Sequence, residues 1–161
     1  MPASKAKIPK EGDPAPAVRL ETDSGEFLRL SDLHGKNVVL FFYPKAGTSG
    51  CTTEACEFRD AAGKFAAAGT VILGISPDRV AAQSRFKEKY GFPYALLADP
   101  EHKAADAFGV WKEKSLYGRK YMGIERTTFL IGPDGRIAKI FAKVKPAGHA
   151  AEVLEALAAL K

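Results

Sequence analysis

The order of hydrophobic and polar residues along the chain predicts several strands that are buried to different degrees. Residues 38–43 (VVLFFY) and 71–76 (VILGIS) are continuous apolar runs, and residues 94–99 (YALLAD) form a third. Such runs are typical of strands that are covered on both faces of a sheet. Residues 18–30 instead alternate between apolar and polar positions around a turn at 23–25, which indicates a surface hairpin.

Other segments have the spacing of amphipathic helices. Between about Gly50 and Ala68, apolar side chains recur at helical spacing and form one stripe. The stripe consists of Cys51, Ala55, Phe58, Ala62 and Phe65. Further helices are predicted at roughly 79–90, 101–108 and 149–161.

The last part of the chain predicts a second hairpin and, with it, the fold class. Residues 127–132 (TTFLIG) and 136–144 (RIAKIFAKV) flank Pro133-Asp134-Gly135, which is typical of a tight turn. Strands that alternate with helices pair in parallel through right-handed crossovers, and this hairpin adds antiparallel strands. We therefore predict an α/β protein with a thioredoxin-like fold: a central mixed β-sheet flanked by helices, with an N-terminal β-hairpin.

Length and composition indicate one globular domain. The chain has 161 residues, 46% hydrophobic and 27% charged, and this length can bury a sufficient core without disulfides or metals. We expect a loose basic tail at residues 1–11 and a single domain at residues 12–161. No apolar run approaches the ~18–20 residues of a membrane span, and no hydrophobic signal segment follows the basic start. The expected location is therefore the cytoplasm, with no membrane contact and with reduced thiols.

The formal net charge of +5 raises the question of nucleic-acid binding. Lysines and arginines are spread along the whole chain, and the only dense cluster is Lys5, Lys7 and Lys10 in the tail. No nucleic-acid-binding motif accompanies them, so we expect a basic surface and no nucleic-acid partner. A non-enzymatic binding module that uses this charge on the same scaffold stays open as an alternative.

The only two cysteines, Cys51 and Cys56, are five residues apart at the start of the predicted helix. On an ideal helix this spacing separates their Cα atoms by ~8.6 Å. A disulfide needs less than about 7 Å, so we expect no bond in the resting fold unless the first turns unwind. The pair is then either a working redox couple or two small buried hydrophobic residues.

The sequence does not favour a metal site. No second pair of ligands accompanies the two cysteines. The three histidines, His34, His102 and His149, are scattered along the chain. We expect all three at the surface rather than as ligands or catalysts, and we expect neither a metal nor a cofactor.

The position of Cys51 favours a reactive thiol. It lies in the first turn of its helix, where unpaired N–H groups and the helix dipole favour a thiolate. Thr48 or Ser49 is the predicted N-cap, and the Thr48 hydroxyl can face the sulfur. Cys56 lies on another face of the helix, alongside Arg59, and outside the apolar stripe.

Residues 41–60, FFYPKAGTSGCTTEACEFRD, resemble the active-site segment of peroxiredoxins, P-x-x-x-[TS]-x-x-C, here Pro44, Thr48 and Cys51. The second cysteine of CTTEAC is similar to the bacterioferritin comigratory protein branch, also called the peroxiredoxin Q type. The likeness extends over most of the chain, from GDPAPAVRL to WKEKSLYGRKYMGIERTTFLIGPDGRI. In that last stretch the family's active-site arginine would be Arg126.

The resemblance implies a thiol-dependent peroxidase that reduces hydrogen peroxide and organic hydroperoxides to water and alcohols in antioxidant defence. Cys51 would be the peroxidatic nucleophile and Cys56 the resolving thiol. Their intramolecular disulfide would be reduced by thioredoxin or a similar dithiol protein. Arg126 would supply a fixed charge and Thr48 a hydrogen bond to the peroxide, while Pro44 would shield the sulfur. We expect a monomer, or at most a weak dimer.

Two positions depart from the family's pattern. Ser49 stands where the family often has proline, so the loop lacks the fixed φ of proline. Glu125 is a charge where an apolar residue is expected, and pairing with Arg126 would weaken the effect of the arginine on the thiolate. A long polar-aromatic loop is predicted at the rim of the site, with Trp111, Tyr117 and Tyr121.

A thioredoxin-like disulfide reductase is the alternative enzyme. Such enzymes carry Cys-x-x-Cys, in which the two sulfurs can bond without unwinding of the helix. The longer spacing between Cys51 and Cys56 disfavours this activity, and an insulin-reduction assay without peroxide would distinguish it from a peroxidase.

Overall fold

A computed structural model describes residues 9–160 of the chain. The strands are β1 (Arg19–Thr22), β2 (Phe27–Arg29), β3 (Asn37–Phe42), β4 (Thr70–Ser76), β5 (Ala95–Ala98), β6 (Trp111–Leu116), β7 (Arg119–Ile124), β8 (Thr127–Ile131) and β9 (Ile137–Phe141). The α-helices are α1 (Ser49–Asp60), α2 (Ala62–Ala67), α3 (Val80–Tyr90), α4 (Lys103–Ala107) and α5 (His149–Ala159). A 3-10 turn at Leu30–Leu33 follows β2. From β3 to α4, strands and helices alternate as predicted.

Seven strands form one mixed sheet in the order β2-β1-β5-β4-β3-β8-β9. The central strands β3, β4 and β5 are parallel, whereas β1 pairs antiparallel with β5, and β8 with β3. This sheet and its flanking helices confirm the predicted fold class, including the N-terminal hairpin β1–β2. Because Phe42 of β3 pairs with Thr127 of β8, the last residue of β3 and the first residue of β8 lie side by side, at the end of the sheet formed by the carboxyl ends of the parallel strands.

Strand β3 divides the core, since its side chains point alternately to the two faces of the sheet. Phe42 belongs to one hydrophobic cluster, whereas Phe41 belongs to the other, which also contains Cys51. Phe41 stacks on Phe58 of α1 with ring centroids 4.7 Å apart. Gly74 of β4 makes room for this ring, since a Cβ there would lie 2.8 Å from the Phe41 Cζ. The stacking fixes α1 onto the sheet.

The segment with Trp111, Tyr117 and Tyr121, predicted to be a long loop, forms a separate two-stranded hairpin, β6–β7. Tyr117 and Gly118 make its turn with φ values of 52° and 79°, as in a two-residue type I′ turn. Polar and charged residues on both faces hide the two-residue period that identifies a half-buried strand. At the base of the hairpin, Trp111 stacks on His102 with ring centroids 4.1 Å apart.

The helix predicted from about Gly50 to Ala68 is interrupted, so the prediction of one continuous helix is wrong. Ala61, between α1 and α2, has φ −97° and ψ 3°. Gly63 just beyond it has low helix propensity. Phe65 of α2 is nevertheless fully buried, so the apolar stripe continues across the break.

His149 is buried, with an exposed fraction of 1%, and the prediction of a surface histidine is wrong. Its ring nitrogens make hydrogen bonds to Thr128 Oγ1 and Glu152 Oε1, both at 2.8 Å. Burial lowers the pKa of His149 below its ordinary value, although Glu152 has the opposite effect. The two hydrogen bonds replace the water that a buried imidazole loses.

The start of the chain is described only in part. Residues 1–8 of the expected tail lie outside the described residues, and the domain boundary at residue 12 stays a prediction. Within the described part, the Glu11 carboxylate accepts a hydrogen bond from the Ile140 N–H at 3.1 Å. None of the helices in residues 9–160 combines the length and apolar character required to cross a membrane.

Candidate active site

The loop after β3 leads directly into the helix that carries both cysteines. The Ala46 N–H donates to the Asp78 carboxylate at 2.8 Å, and Thr48 Oγ1 donates to the Lys45 carbonyl at 2.8 Å. Thr48 is the N-cap residue of α1, but its side chain makes no capping hydrogen bond. Cys51 lies in the first turn, where the N–H groups have no partner within the helix.

Cys51 is fully buried and contacts an arginine that is distant in the sequence. Its Sγ accepts a hydrogen bond from Arg126 Nη2 at 3.4 Å. Arg126 immediately precedes β8, at the sheet edge where β3 ends. Because arginine keeps its charge at any physiological pH, it favours the thiolate form of the sulfur.

The same guanidinium binds a carboxylate that the sequence analysis does not identify. Arg126 Nη1 donates to Glu54 Oε1 at 2.7 Å, and Glu54 is fully buried. Burial raises the pKa of Glu54 to about 7, although Arg126 has the opposite effect. Burial tends to lower the pKa of Arg126, but Cys51 and Glu54 raise it above its ordinary value. Glu54 lies three residues after Cys51, on the buried side of the helix. Because a buried carboxylate is rarely unpaired, this position in the sequence indicates that a cation lies nearby.

Gly50 gives the guanidinium room to reach the thiol. A Cβ at this position would lie 3.2 Å from Arg126 Nη2 and 3.4 Å from Pro146 Cγ. The Arg126 carbonyl also accepts a hydrogen bond from the Val144 N–H at 2.9 Å. A side chain at Gly50 would therefore push the guanidinium away from Cys51 or displace the segment at 144–146.

Glu125, the neighbour of the arginine, is directed to another partner. Its carboxylate forms an ion pair with Lys112 Nζ at 3.2 Å. The carboxylate that competes with the thiolate for Arg126 is therefore Glu54 and not Glu125.

Cys56 is half-buried and lies near two hydrogen bonds that attach α1 to its neighbours. Tyr94 Oη donates to the Ala55 carbonyl at 2.6 Å, and Arg59 Nη1 donates to the Tyr90 carbonyl at 2.8 Å. Both cysteines are free thiols. Because both belong to α1, their Cα atoms have the helical separation of ~8.6 Å, and a bond between them requires local unwinding.

The other two residues of the predicted site lie on the loop before Cys51. Pro44 is half-buried and Thr48 is exposed. The Thr48 hydroxyl donates its hydrogen bond to the Lys45 carbonyl, and no hydrogen bond within residues 9–160 joins Thr48 to Cys51. In the same range, no group of three histidine, cysteine, aspartate or glutamate side chains is arranged to hold a metal ion. The chemistry of this site is that of a buried thiol beside a cation that also binds a buried carboxylate.

The chain is similar to proteins of one family over most of its length. A sequence model described as the AhpC/TSA family matches residues 11–140. Peroxiredoxin Bcp of Bacillus subtilis is 53% identical over 146 residues, which cover 91% of this chain and 93% of that protein. Peroxiredoxin Bcp of Escherichia coli is 44% identical over 140 residues, which cover 87% of this chain and 90% of that protein.

Solved structures with the same fold include a close match in architecture. A mutant of Xylella fastidiosa PrxQ superposes with a TM-score of 0.91 at 37% identity, over 96% of this chain and 98% of that chain. The bacterioferritin comigratory protein of Xanthomonas campestris, described for its alkyl peroxide reduction activity, has a TM-score of 0.85 at 41% identity. That superposition covers 89% of this chain and 91% of that chain.

Proposed function

Because the chain belongs to the AhpC/TSA family and is a peroxiredoxin, we propose that Cys51 reduces the peroxide and that Cys56 resolves the oxidised product. The activity is that of a thiol-dependent peroxidase, whose substrate is a hydroperoxide and whose reductant is a thiol. The alkyl peroxide reduction of the Xanthomonas campestris relative supports alkyl hydroperoxides, together with hydrogen peroxide, as the proposed substrates.

The observation that supports Cys51 as the nucleophile is its 3.4 Å contact with Arg126 Nη2. The thiolate is the nucleophilic form of a cysteine, and a buried thiolate needs a compensating charge. Cys56 lies near Arg59, but that guanidinium is engaged by the Asp60 carboxylate and the Tyr90 carbonyl. The surroundings therefore favour Cys51, rather than Cys56, as the nucleophile.

In the proposed first step, the Cys51 thiolate attacks the terminal oxygen of the hydroperoxide. An S–O bond forms, the O–O bond breaks, and the sulfur gives two electrons to the peroxide. The departing alkoxide or hydroxide takes up a proton and leaves as an alcohol or water. Arg126 stabilises the negative charge as it moves from sulfur to the leaving oxygen, because its donors are already oriented.

Peroxide access requires a movement of the loop at 44–48, since Cys51 has no exposed surface. We assign Thr48 as a hydrogen-bonding partner of the bound peroxide, after its hydroxyl turns away from the Lys45 carbonyl. Pro44 has no N–H to attract water, and we assign it to cover the sulfur.

In the second step, the Cys51 sulfenic acid condenses with the Cys56 thiol. The S–S bond forms and the sulfenic oxygen leaves as water. Residues 51–56 unwind for this step, because the helical separation exceeds the limit of about 7 Å for a disulfide. We assign thioredoxin or a similar dithiol protein as the reductant of this disulfide, acting on a monomer in the cytoplasm.

The test is peroxide-dependent oxidation of NADPH through thioredoxin reductase and thioredoxin. We expect Cys51→Ser to abolish turnover, and Cys56→Ser to react once and stop as the sulfenic acid. In the wild type, peroxide should remove both free thiols of the chain without producing covalent dimers. Turnover that survives in Cys51→Ser would refute the assigned nucleophile, and a covalent dimer would refute resolution within one chain.

A further inference from the structure

Asp78 attaches the loop before Cys51 to the segment that follows β4. The Ala46 N–H donates to Asp78 Oδ2 at 2.8 Å. Strands β3 and β4 are parallel neighbours, so the chain leaves both of them at the same end of the sheet. Among residues 9–160, this is the only hydrogen bond from residues 44–47 to a residue outside the loop at 44–48. The loop is therefore tied to the rest of the protein at one point.

Packing does not hold the loop on the side that faces α3. A groove of about 300 Å³ lies there, lined in part by Ala46 and Gly47 of the loop and by Ala82, Phe86 and Tyr90 of α3. Because no side chain fills this groove, the position of the loop depends on the hydrogen bond to Asp78.

A chain of hydrogen bonds fixes Asp78 in turn. Ser76 Oγ donates to the same oxygen, Asp78 Oδ2, at 2.6 Å. Gln83 Nε2 donates to Ser76 Oγ at 2.9 Å and to the Leu97 carbonyl at 2.7 Å. Ser76 and Gln83 are both buried, so water does not compete for these bonds. The carboxylate is thus held by groups of β4, α3 and β5.

This chain of hydrogen bonds returns to the start of the loop. Burial raises the pKa of Tyr43 above its ordinary value, so its hydroxyl keeps its proton and donates to Gln83 Oε1 at 2.6 Å. The Gln83 amide therefore directs Nε2 to Ser76, whose own proton goes to Asp78. Tyr43 immediately precedes Pro44, and hydrogen bonds in such buried chains reinforce one another. Both ends of residues 43–46 are therefore bonded to the same network.

We propose that Asp78 is a positioning residue of the peroxidase site, which holds Ala46, and with it Pro44 and Thr48, in the position that reaction with the peroxide requires. The proposal rests on the proposed function, in which this loop covers the sulfur and Thr48 binds the peroxide. Asp78 acts through the loop and not on the peroxide itself.

The test compares two reactions of Cys51 in Asp78→Ala, in a Cys56→Ser background where Cys51 is the only cysteine. Cys51 has no exposed surface, so iodoacetamide reaches it only when the loop opens, and alkylation should become about tenfold faster. Hydrogen peroxide needs the aligned loop, and its reaction should become roughly tenfold slower. A general change in the reactivity of the thiolate would instead move both rate constants in the same direction.

Three further variants show whether the bond to the loop is responsible. Asp78→Asn keeps an oxygen acceptor and should keep both rate constants. Ser76→Ala removes one donor from the carboxylate and should move both rate constants as Asp78→Ala does, by about threefold. Asp134 accepts the Arg136 N–H at 3.0 Å in the turn after β8, at the opposite end of the sheet, and Asp134→Ala should change neither rate constant.

An unchanged ratio of the two rate constants in Asp78→Ala, with wild-type circular dichroism and urea midpoints, would overturn the proposal. If Asp78→Ala does not fold, an unchanged ratio in Ser76→Ala would overturn it, because that variant removes a single hydroxyl from the same network. Either result would leave the proposed function intact, because the function fails only if Cys51→Ser still turns over peroxide.

Discussion

The two ends of α1 are held in very different ways. At the C-terminal end, Phe58 is fully buried and stacks on Phe41. The Glu57 carboxylate there accepts the Gly148 N–H with its two oxygens, at 2.9 and 3.1 Å. At the N-terminal end, residues 47–49 are exposed, and the capping position makes no side-chain hydrogen bond to the helix.

This difference indicates where the helix opens. Segments with few buried contacts open at a lower cost than the core, so we expect the unwinding of the proposed second step to start near Thr48 and to end near Cys56. Cys51 and Glu54 are exceptions at the loosely held end, because both are buried and both are bonded to Arg126. In the proposed first step, oxidation converts the Cys51 thiolate into a neutral sulfenic acid, which weakens the attraction of the sulfur to the guanidinium. We therefore expect the proposed first step to release the part of the helix that moves in the proposed second step.

Truncation of Phe58, which packs the C-terminal end of α1 onto the sheet, should have the largest effect on the free energy of unfolding. Phe58→Ala leaves a cavity beside Phe41 and Phe65, and we expect it to lower the free energy of unfolding by about 3–5 kcal/mol. Thr53→Ala changes an exposed position at the other end and should alter it by less than ~0.5 kcal/mol. Urea unfolding followed by circular dichroism measures both variants. Equal losses would show that the two ends contribute alike.

Glu54, at the loosely held end of α1, should make the free energy of unfolding of the protein depend on pH. Its pKa of about 7 in the folded protein lies above the ordinary value of 4.5, so folding favours the protonated carboxyl. The resulting stabilisation is complete below the ordinary pKa and is lost as the pH rises through about 7, by at most about 3 kcal/mol. Glu54→Gln should reduce the difference between urea midpoints at pH 5 and pH 8.

Glu125→Gln is the matched control for this pH effect, because Glu125 is paired with Lys112 and is partly exposed. It should keep the pH dependence of the wild type. A Glu54→Gln variant with the wild-type pH dependence would mean that the buried carboxyl does not titrate in this range.

The hydroxyl of Tyr94 should slow the opening of α1 by a smaller amount. It donates to the Ala55 carbonyl in buried surroundings, and the bond breaks if unwinding extends to Cys56. Tyr94→Phe should therefore speed disulfide formation about fivefold, which corresponds to one hydrogen bond of ~1 kcal/mol. The reaction of Cys51 with peroxide should be unchanged. Rapid mixing with peroxide, followed by timed thiol counting, separates the two steps.

Tyr90→Phe removes a hydroxyl from the same aromatic cluster without removing this bond. The Tyr90 ring stacks on Phe92 at 5.9 Å, and the variant should form the disulfide at the wild-type rate. The same acceleration in both variants would show that the aromatic cluster, rather than the bond to Ala55, restrains the helix.

The sequence predicts those parts of the fold in which residues close together in the chain show by their apolar pattern which side is buried. The apolar run at 38–43 marks a strand covered on both faces, and the stripe that begins at Cys51 marks the side of α1 that faces the sheet. The break at Ala61 could not be predicted, since the buried stripe is continuous across it. The hairpin at 111–124 was missed because neither of its faces is uniformly apolar.

The candidate site depends more on contacts between distant residues. The position of Glu54 on the buried side of its helix indicates that it needs a cation, but the sequence does not identify that cation as Arg126, 72 residues later. His149 was placed at the surface because Thr128, which compensates its burial, belongs to a strand 21 residues earlier. Spacing along the chain can place a thiol at a helix start, but it cannot supply the charges around it.

The stacked pair at the base of the hairpin also gives the protein an optical label. Trp111 is the only tryptophan of the chain, and its ring lies within 2° of parallel to that of His102. Its emission therefore reports on the base of the hairpin and not on the helix that carries the cysteines. A change in emission after peroxide is added would be a signal carried from α1, through the segment of Arg126, to a part of the molecule that takes no part in disulfide formation.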